Sequence, residues 1–232
     1  MEFEQIQQTL VANATDVEKA GFYKKTYLHV ALALLAFIVV ETIMIQTVPV
    51  EWIAAMFDGK FMWLFIIGLF WLGSVISTKM SFAPSRNQQY LGLGLYVILE
   101  AIIFLPMIYI AASYTGAEIL LQAALLTLAM FAGLTAVVFL TRTDFSFLRT
   151  ALIVGGFISL GLIAAGAIFG FNLGLWFSVG MVVLASGSIL YQTSQIKDNY
   201  GTEQYVGAAL QLFASVMLLF WYILRILMSR RN

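Results

Sequence analysis

The sequence predicts an all-α membrane protein, a bundle of seven transmembrane helices. Three observations carry that expectation. Of 232 residues, 62% are hydrophobic and only 10% charged, whereas a soluble domain carries about a quarter charged residues to keep its surface wet. The mean hydropathy is +0.94. The apolar residues fall into seven stretches of the length, about 20 residues, that crosses about 30 Å of hydrocarbon.

In chain order the stretches are 27–48, 61–78, 90–112, 119–140, 150–171, 173–196 and 205–228. Turn-forming residues separate them: Pro49, Asp58-Gly59, Ala83-Pro84-Ser85, Thr115-Gly116, Asp144, Asn172 and Asn199-Tyr200-Gly201. Strands of a membrane β-barrel would alternate apolar and polar residues, and these stretches do not. Residues 1–26 read as a polar tail containing Glu2, Glu4, Asp16, Glu18 and Lys19, and 27–232 as the transmembrane domain. The first apolar stretch is too long for the core of a cleaved secretory signal.

Basic residues in short loops favour the cytoplasmic side. Lys19, Lys24, Lys25, Lys79, Arg86, Arg142, Arg149 and Lys197 share one side, whereas Lys60 lies on the other. The N-terminus is therefore expected to be cytoplasmic. The seventh stretch is long enough to cross, which sends Arg225, Arg230 and Arg231 to the outer side, against the trend.

Composition also narrows the chemistry. Cysteine is absent and histidine occurs once, as His29, which excludes disulfides, thiolate or multi-histidine metal sites and a Ser-His triad. With 12 basic and 12 acidic residues there is no charge excess to attract nucleic acid. No enzyme activity and no cofactor are expected. The partner certain from composition is the lipid bilayer.

Polar residues at membrane depth are the candidates for function, because a charge there costs several kcal/mol unless it faces a cavity or a partner. Glu100 lies deep in the third stretch and is followed by Pro106, which frees a backbone carbonyl. Three readings stay open for it: a protonated hydrogen bond to a neighbouring helix, an ion pair with a base, and a role in ion or proton handling. Glu41, nearer the outer end of its stretch, reads as solvated or snorkelling. Glu118 suits the positive end of a helix. Ser188, Gln192 and Gln195 fall on one side of the sixth stretch, and Gln211 and Ser215 lie four apart in the seventh; interhelical hydrogen bonds or the lining of a wet path both fit. Gly155, Gly156, Gly161, Ala165, Gly166 and Gly170 in the fifth stretch, with Ala129/Gly133 and Ala132/Ala136 in the fourth, read as faces for close helix packing. His29 reads as an ordinary interfacial residue.

Several segments together resemble a known family. They are Leu99-Glu-Ala101, Thr135-Ala-Val-Val-Phe139, Leu140-Thr-Arg-Thr-Asp-Phe-Ser-Phe-Leu148, Ser186-Gly-Ser-Ile-Leu-Tyr-Gln-Thr-Ser-Gln-Ile196, Ala208-Ala-Leu-Gln-Leu-Phe213 and Phe220-Trp-Tyr-Ile-Leu-Arg225. In this order and spacing they resemble the Bax inhibitor-1 proteins. The resemblance implies a seven-helix fold and, from its bacterial members, residence in the inner membrane. Some of those members are described as pH-sensitive calcium leak channels, gated by an aspartate of the sixth span paired with one of the seventh.

Here Gln192 and Ser215 stand at those two places. Neither titrates near neutral pH, so the resemblance implies no proton-operated latch here and a weaker hold on Ca2+, which prefers hard anionic oxygens. A neutral Gln192–Ser215 hydrogen bond is left to join the two helices. The run from Ser186 to Ile196 is nearer a second bacterial branch, described as modulators of the membrane-anchored ATP-dependent protease FtsH. That likeness implies a regulatory partner gripping an unstructured polar N-terminal tail. The alternative it leaves is a Ca2+ or H+ leak channel whose path holds Glu100, Gln192, Ser215, Gln211 and Glu41.

Overall fold

The computed structural model describes residues 9–56, 60–141 and 143–230 (for 60 and 61 the backbone alone). The expected turn at Asp58-Gly59, Arg142, Arg231 and the tail acids Glu2 and Glu4 lie outside the described residues. Among those described, the regular structure is helical apart from one isolated bridge between Leu10 and Gly201.

The helices are α1 (Asp16–Thr47), α2 (Val50–Ala55), α3 (Lys60–Ser81), α4 (Arg86–Ile110), α5 (Glu118–Thr141), α6 (Leu148–Phe169), α7 (Gly174–Asp198) and α8 (Tyr205–Ser229). Seven are long and apolar enough to cross a membrane, and they correspond one for one to the predicted stretches. The short α2 was not predicted. It follows Pro49, whose ring suits the start of a helix.

Helix α1 begins at Asp16, well before the apolar stretch that opens at Tyr27. The reason is local: Thr15 accepts from the Glu18 N–H while the Glu18 carboxylate accepts from the Thr15 N–H at 2.8 Å, a capping box. Residues 9–26 are therefore not an unstructured tail. The chain before α1 is docked: the Val11 N–H donates to the Tyr200 carbonyl at 2.9 Å, the Thr202 N–H to the Thr9 carbonyl at 3.1 Å, and Val11 is fully buried. Residues 1–8, the rest of the expected grip for a protease, lie outside the described residues.

Helix α8 is the hub. Its length is buried from Tyr205 to Leu224, and it packs against α1, α3, α4, α5 and α7. In lipid there is no hydrophobic gain from joining helices, so close van der Waals fit must hold them. One close fit is at Gly207, where an added Cβ would come within 2.5 Å of the Phe82 ring. Another is at Gly155, where it would meet Leu184. Gly156, Gly161 and Gly133 face open space instead, so close packing explains only part of the small-residue pattern. Helix α6 has no buried residue and stands at the rim, against α7 and more lightly α3.

The α5–α6 turn is fastened to α7 by the polar residues of the family-like segments. Asp144 accepts from the Ser146 N–H at 2.9 Å and from the Ser194 hydroxyl at 3.1 Å, and Gln195 donates to Ser146 at 3.1 Å. Ser146 is the main cause holding the Asp144 carboxyl below its ordinary value of 3.8.

Candidate functional site

A cavity of about 710 Å3 lies inside the bundle, walled by α3, α4, α6, α7 and α8. Its polar lining includes Glu100, Ser188, Gln192, Gln211, Ser215 and Arg225. On α8 the lining runs from Gln211 to Arg225, about 21 Å at 1.5 Å per residue. Four of the five residues that the sequence offered for an ion path thus meet in one chamber, brought from three helices.

The cavity has three levels. At the end nearest the α7–α8 turn, the Tyr200 hydroxyl donates to Gln192 Oε1 at 3.3 Å. Phe82 stacks on the Tyr200 ring at 5.7 Å between centroids, wedged against Gly207. This aromatic pair lies behind Gln192, the lining residue at that end. Burial pushes the Tyr200 phenol well above its ordinary value of 10.0, so it remains a donor at neutral pH.

At the middle level stand Glu100 and Ser215. Rings fix the register of the parallel α4 and α8: Tyr96 meets Phe213 at 6.1 Å, and Phe104 meets Phe220 at 5.7 Å. Glu100, midway between Tyr96 and Phe104, is therefore level with the stretch of α8 that holds Ser215. Tyr96, one turn back on its own helix, is its hydrogen-bond partner, and among the described residues no base is paired with it. The expected Gln192–Ser215 bond is not formed. Ser215 donates to the Gln211 carbonyl at 3.0 Å and lies 2.8 Å from Ser188 Oγ. A hydroxyl has one proton, so Ser188 is the donor to Ser215. Gln192 instead turns to Tyr200, because it sits one turn further toward the α7–α8 turn.

At the far end Arg225, Asn172 and Trp63 border the chamber, with Trp63 stacked on Trp221 at 6.4 Å.

Glu41 is the exception. It does not border the cavity, and it is neither solvated nor snorkelling: it is 4% exposed, and neither carboxyl oxygen has a hydrogen-bond partner among the described residues. The buried stripe of α1 is Phe22, Thr26, Val30, Ala33, Phe37 and Glu41. That spacing of three and four puts Glu41 one turn beyond Phe37 on the face turned to the bundle. The spacing was visible in the sequence and predicted this burial better than distance from the helix end.

A profile of the family described as Inhibitor of apoptosis-promoting Bax1 matches residues 19–232. The chain belongs to the Bax inhibitor-1 family.

Its relatives within the family come from distant sources. The chain is similar to Protein LIFEGUARD 4 of Arabidopsis thaliana, 27% identical over 89% of this chain and 83% of that one. It is similar to Bax inhibitor 1 of Schizosaccharomyces pombe, 29% identical over 72% of this chain and 63% of that one. It is also similar to the uncharacterised protein PA2604 of Pseudomonas aeruginosa, 37% identical over 48% of this chain and 50% of that one. Against the Pseudomonas protein the match spans half of that protein's length.

Among the described residues the cavity of this Bax inhibitor-1 family chain is lined by one acid, Glu100, with hydroxyls and amides making up most of the remaining polar lining. Among the described residues no group of three or more His, Cys, Asp or Glu is placed to hold a metal ion. Sequence reasoning missed Arg225 as a lining residue, since it was weighed for its side of the membrane and as the end of a family-like run, and it missed the contact of Tyr200 with Gln192, since Tyr200 was read as part of a turn. It also missed the ring cluster at the α4–α8 base, where His29 stacks on Tyr90 at 5.6 Å and Arg86 lies 4.3 Å from the centre of the Tyr205 ring.

Proposed function

We propose that this chain is a leak protein for a small cation, Ca2+ or H+, that uses the intramembrane cavity as its path and the Tyr200–Gln192 contact as its closed floor. The observation that supports the reading is the meeting of Glu100, Gln192, Gln211 and Ser215 in one chamber about 710 Å3 in volume. A pore must bind its ion weakly enough to release it. One carboxylate with neutral oxygens meets that requirement better than a cage of acids would. We further propose that the N-terminus is cytoplasmic in a bacterial inner membrane; Lys19, Lys24, Lys25, Lys79, Arg86, Arg149 and Lys197 gather at one end of the bundle and support this.

The test is flux of Ca2+ and of H+ into liposomes holding the purified chain, with Glu100→Gln beside it. Flux above that of empty liposomes that falls in the variant supports the path. A folded preparation with no flux at any pH overturns it.

A second reading, regulation of a membrane-anchored protease such as FtsH, is supported by the neutral residues Gln192 and Ser215 at the two places where channel relatives are described as carrying an aspartate latch. Co-purification with the protease, in a preparation without flux, would select it.

A further inference from the structure

We propose that the cavity binds a single-chain anionic amphiphile taken sideways from the bilayer, with its carboxylate at Arg225 and its tail leaving between α3 and α6. The inference uses the same chamber as the leak reading but does not depend on conduction.

Between α3 and α6 lies a second cavity, about 550 Å3 and lined by apolar side chains and glycine. Ile67, Leu160 and Ile163 line both cavities, so a single layer of aliphatic side chains divides the polar chamber from this lipid-side groove. The groove is not a helix contact that happens to be loose. Gly68 and Gly156 line it, and a Cβ added to either meets nothing within 4 Å. On its outer lip Phe157 is 73% exposed and Trp71 61% exposed.

The head-group assignment comes from charge. A guanidinium stays charged at any physiological pH and matches a carboxylate with two parallel donors. Arg225 makes no ion pair or hydrogen bond among the described residues. Glu100 is no partner for it: Glu100 is level with Ser215, about 15 Å of helix rise short of Arg225. A cation with no acid paired to it among the described residues, at the mouth of a chamber that opens toward an apolar groove, favours an anion carrying a hydrocarbon tail. The volume lies in the range of about 300–1,000 Å3 that holds a drug-sized ligand, which suits one acyl chain and its head.

The experiment uses the full chain in lipid nanodiscs and a diazirine analogue of palmitic acid, with photolabelled peptides mapped by mass spectrometry. We expect label on the cavity-facing positions of α3, α6 and α8, displaced by excess palmitate. In Arg225→Gln the label should fall by at least about tenfold, the effect of losing one charge-assisted hydrogen bond. Arg225→Lys should retain part of it.

Gly156→Leu, whose Cβ would meet nothing within 4 Å, should block the groove and remove the label, with an unchanged thermal midpoint showing that the fold is kept. Label confined to outward residues such as Leu35 and Trp176, unchanged by palmitate and by both variants, overturns the proposal. Equal cavity labelling by the diazirine monoacylglycerol of the same length overturns the anionic assignment. A chain that labels as expected but shows no flux supports this inference while sinking the leak reading. One that conducts but labels only on its outside does the reverse.

Discussion

Val11 and Tyr200 are joined by a 2.9 Å hydrogen bond from the Val11 N–H to the Tyr200 carbonyl, across almost the whole length of the chain. The same Tyr200 donates its hydroxyl to Gln192 at the end of the cavity nearest the α7–α8 turn. One residue therefore carries a strap on its backbone and a plug on its side chain. Disturbing the first should be felt by the second.

Shortening the strap's anchor tests that link. Val11→Ala removes two fully buried methyl groups, worth about 2 kcal/mol of local stability. Hydrogen exchange should speed up at Gly201 and Thr202 by more than tenfold while exchange in the middle of α8 stays unchanged. Equal protection in both proteins would show that Val11 is not what holds the turn.

Tyr200→Phe keeps the ring stacked on Phe82 and removes only the donor to Gln192. Loss of this partly buried bond should lower stability by about 1 kcal/mol. On the leak reading it should also raise ion flux, since the floor loses its polar tie. Unchanged flux in a preparation that conducts would move the gate elsewhere.

Gly207→Ala places a methyl group against the Phe82 ring. Overpacking of this kind costs about 1–3 kcal/mol. Because Phe82 in turn stacks on Tyr200, the variant should show a lower thermal midpoint and a shifted Tyr200 environment by NMR. Phe82→Leu in the same chain should recover much of the midpoint by making room.

Asp144 gives a pH dependence with a definite sign. Its carboxyl is held below 3.8 in the folded chain, by Ser146 first. Such a depressed group stabilises the fold above its unfolded value and loses that contribution as pH falls through the folded one. Docking of the α5–α6 turn on α7 should therefore persist at pH 4 and loosen only in stronger acid. Exchange at the Ser146 amide, followed downward in pH, checks it, and Asp144→Asn should flatten the curve.

The seven spans were legible because length and apolarity are properties of single segments. The polar seams were legible for a similar reason: Gln211 and Ser215, or Ser188 and Gln192, share a helix face by spacing alone. Partners were harder. Spacing on α7 and α8 says that Gln192 and Ser215 look toward one another, but only the rise along each helix decides that Ser188 reaches Ser215 while Gln192 reaches Tyr200. The docking of Val11 depends on a bridge between residues far apart in the chain, which no local pattern encodes. Glu41 was readable from the stripe that begins at Phe22; its position near a helix end pulled the expectation toward solvent instead.

The central position of α8 also bears on how the bundle is made. This helix follows the other seven in the chain, yet α1, α3, α4, α5 and α7 all pack against it. During synthesis the earlier helices enter the membrane before the axis they surround exists. Until Tyr205–Ser229 inserts, the faces of α1, α3, α4, α5 and α7 that pack on it have lipid or other neighbours to meet. Assembly is therefore delayed until α8 has been made, and a ribosome stalled before α8 leaves behind a set of membrane helices without the surface on which they converge.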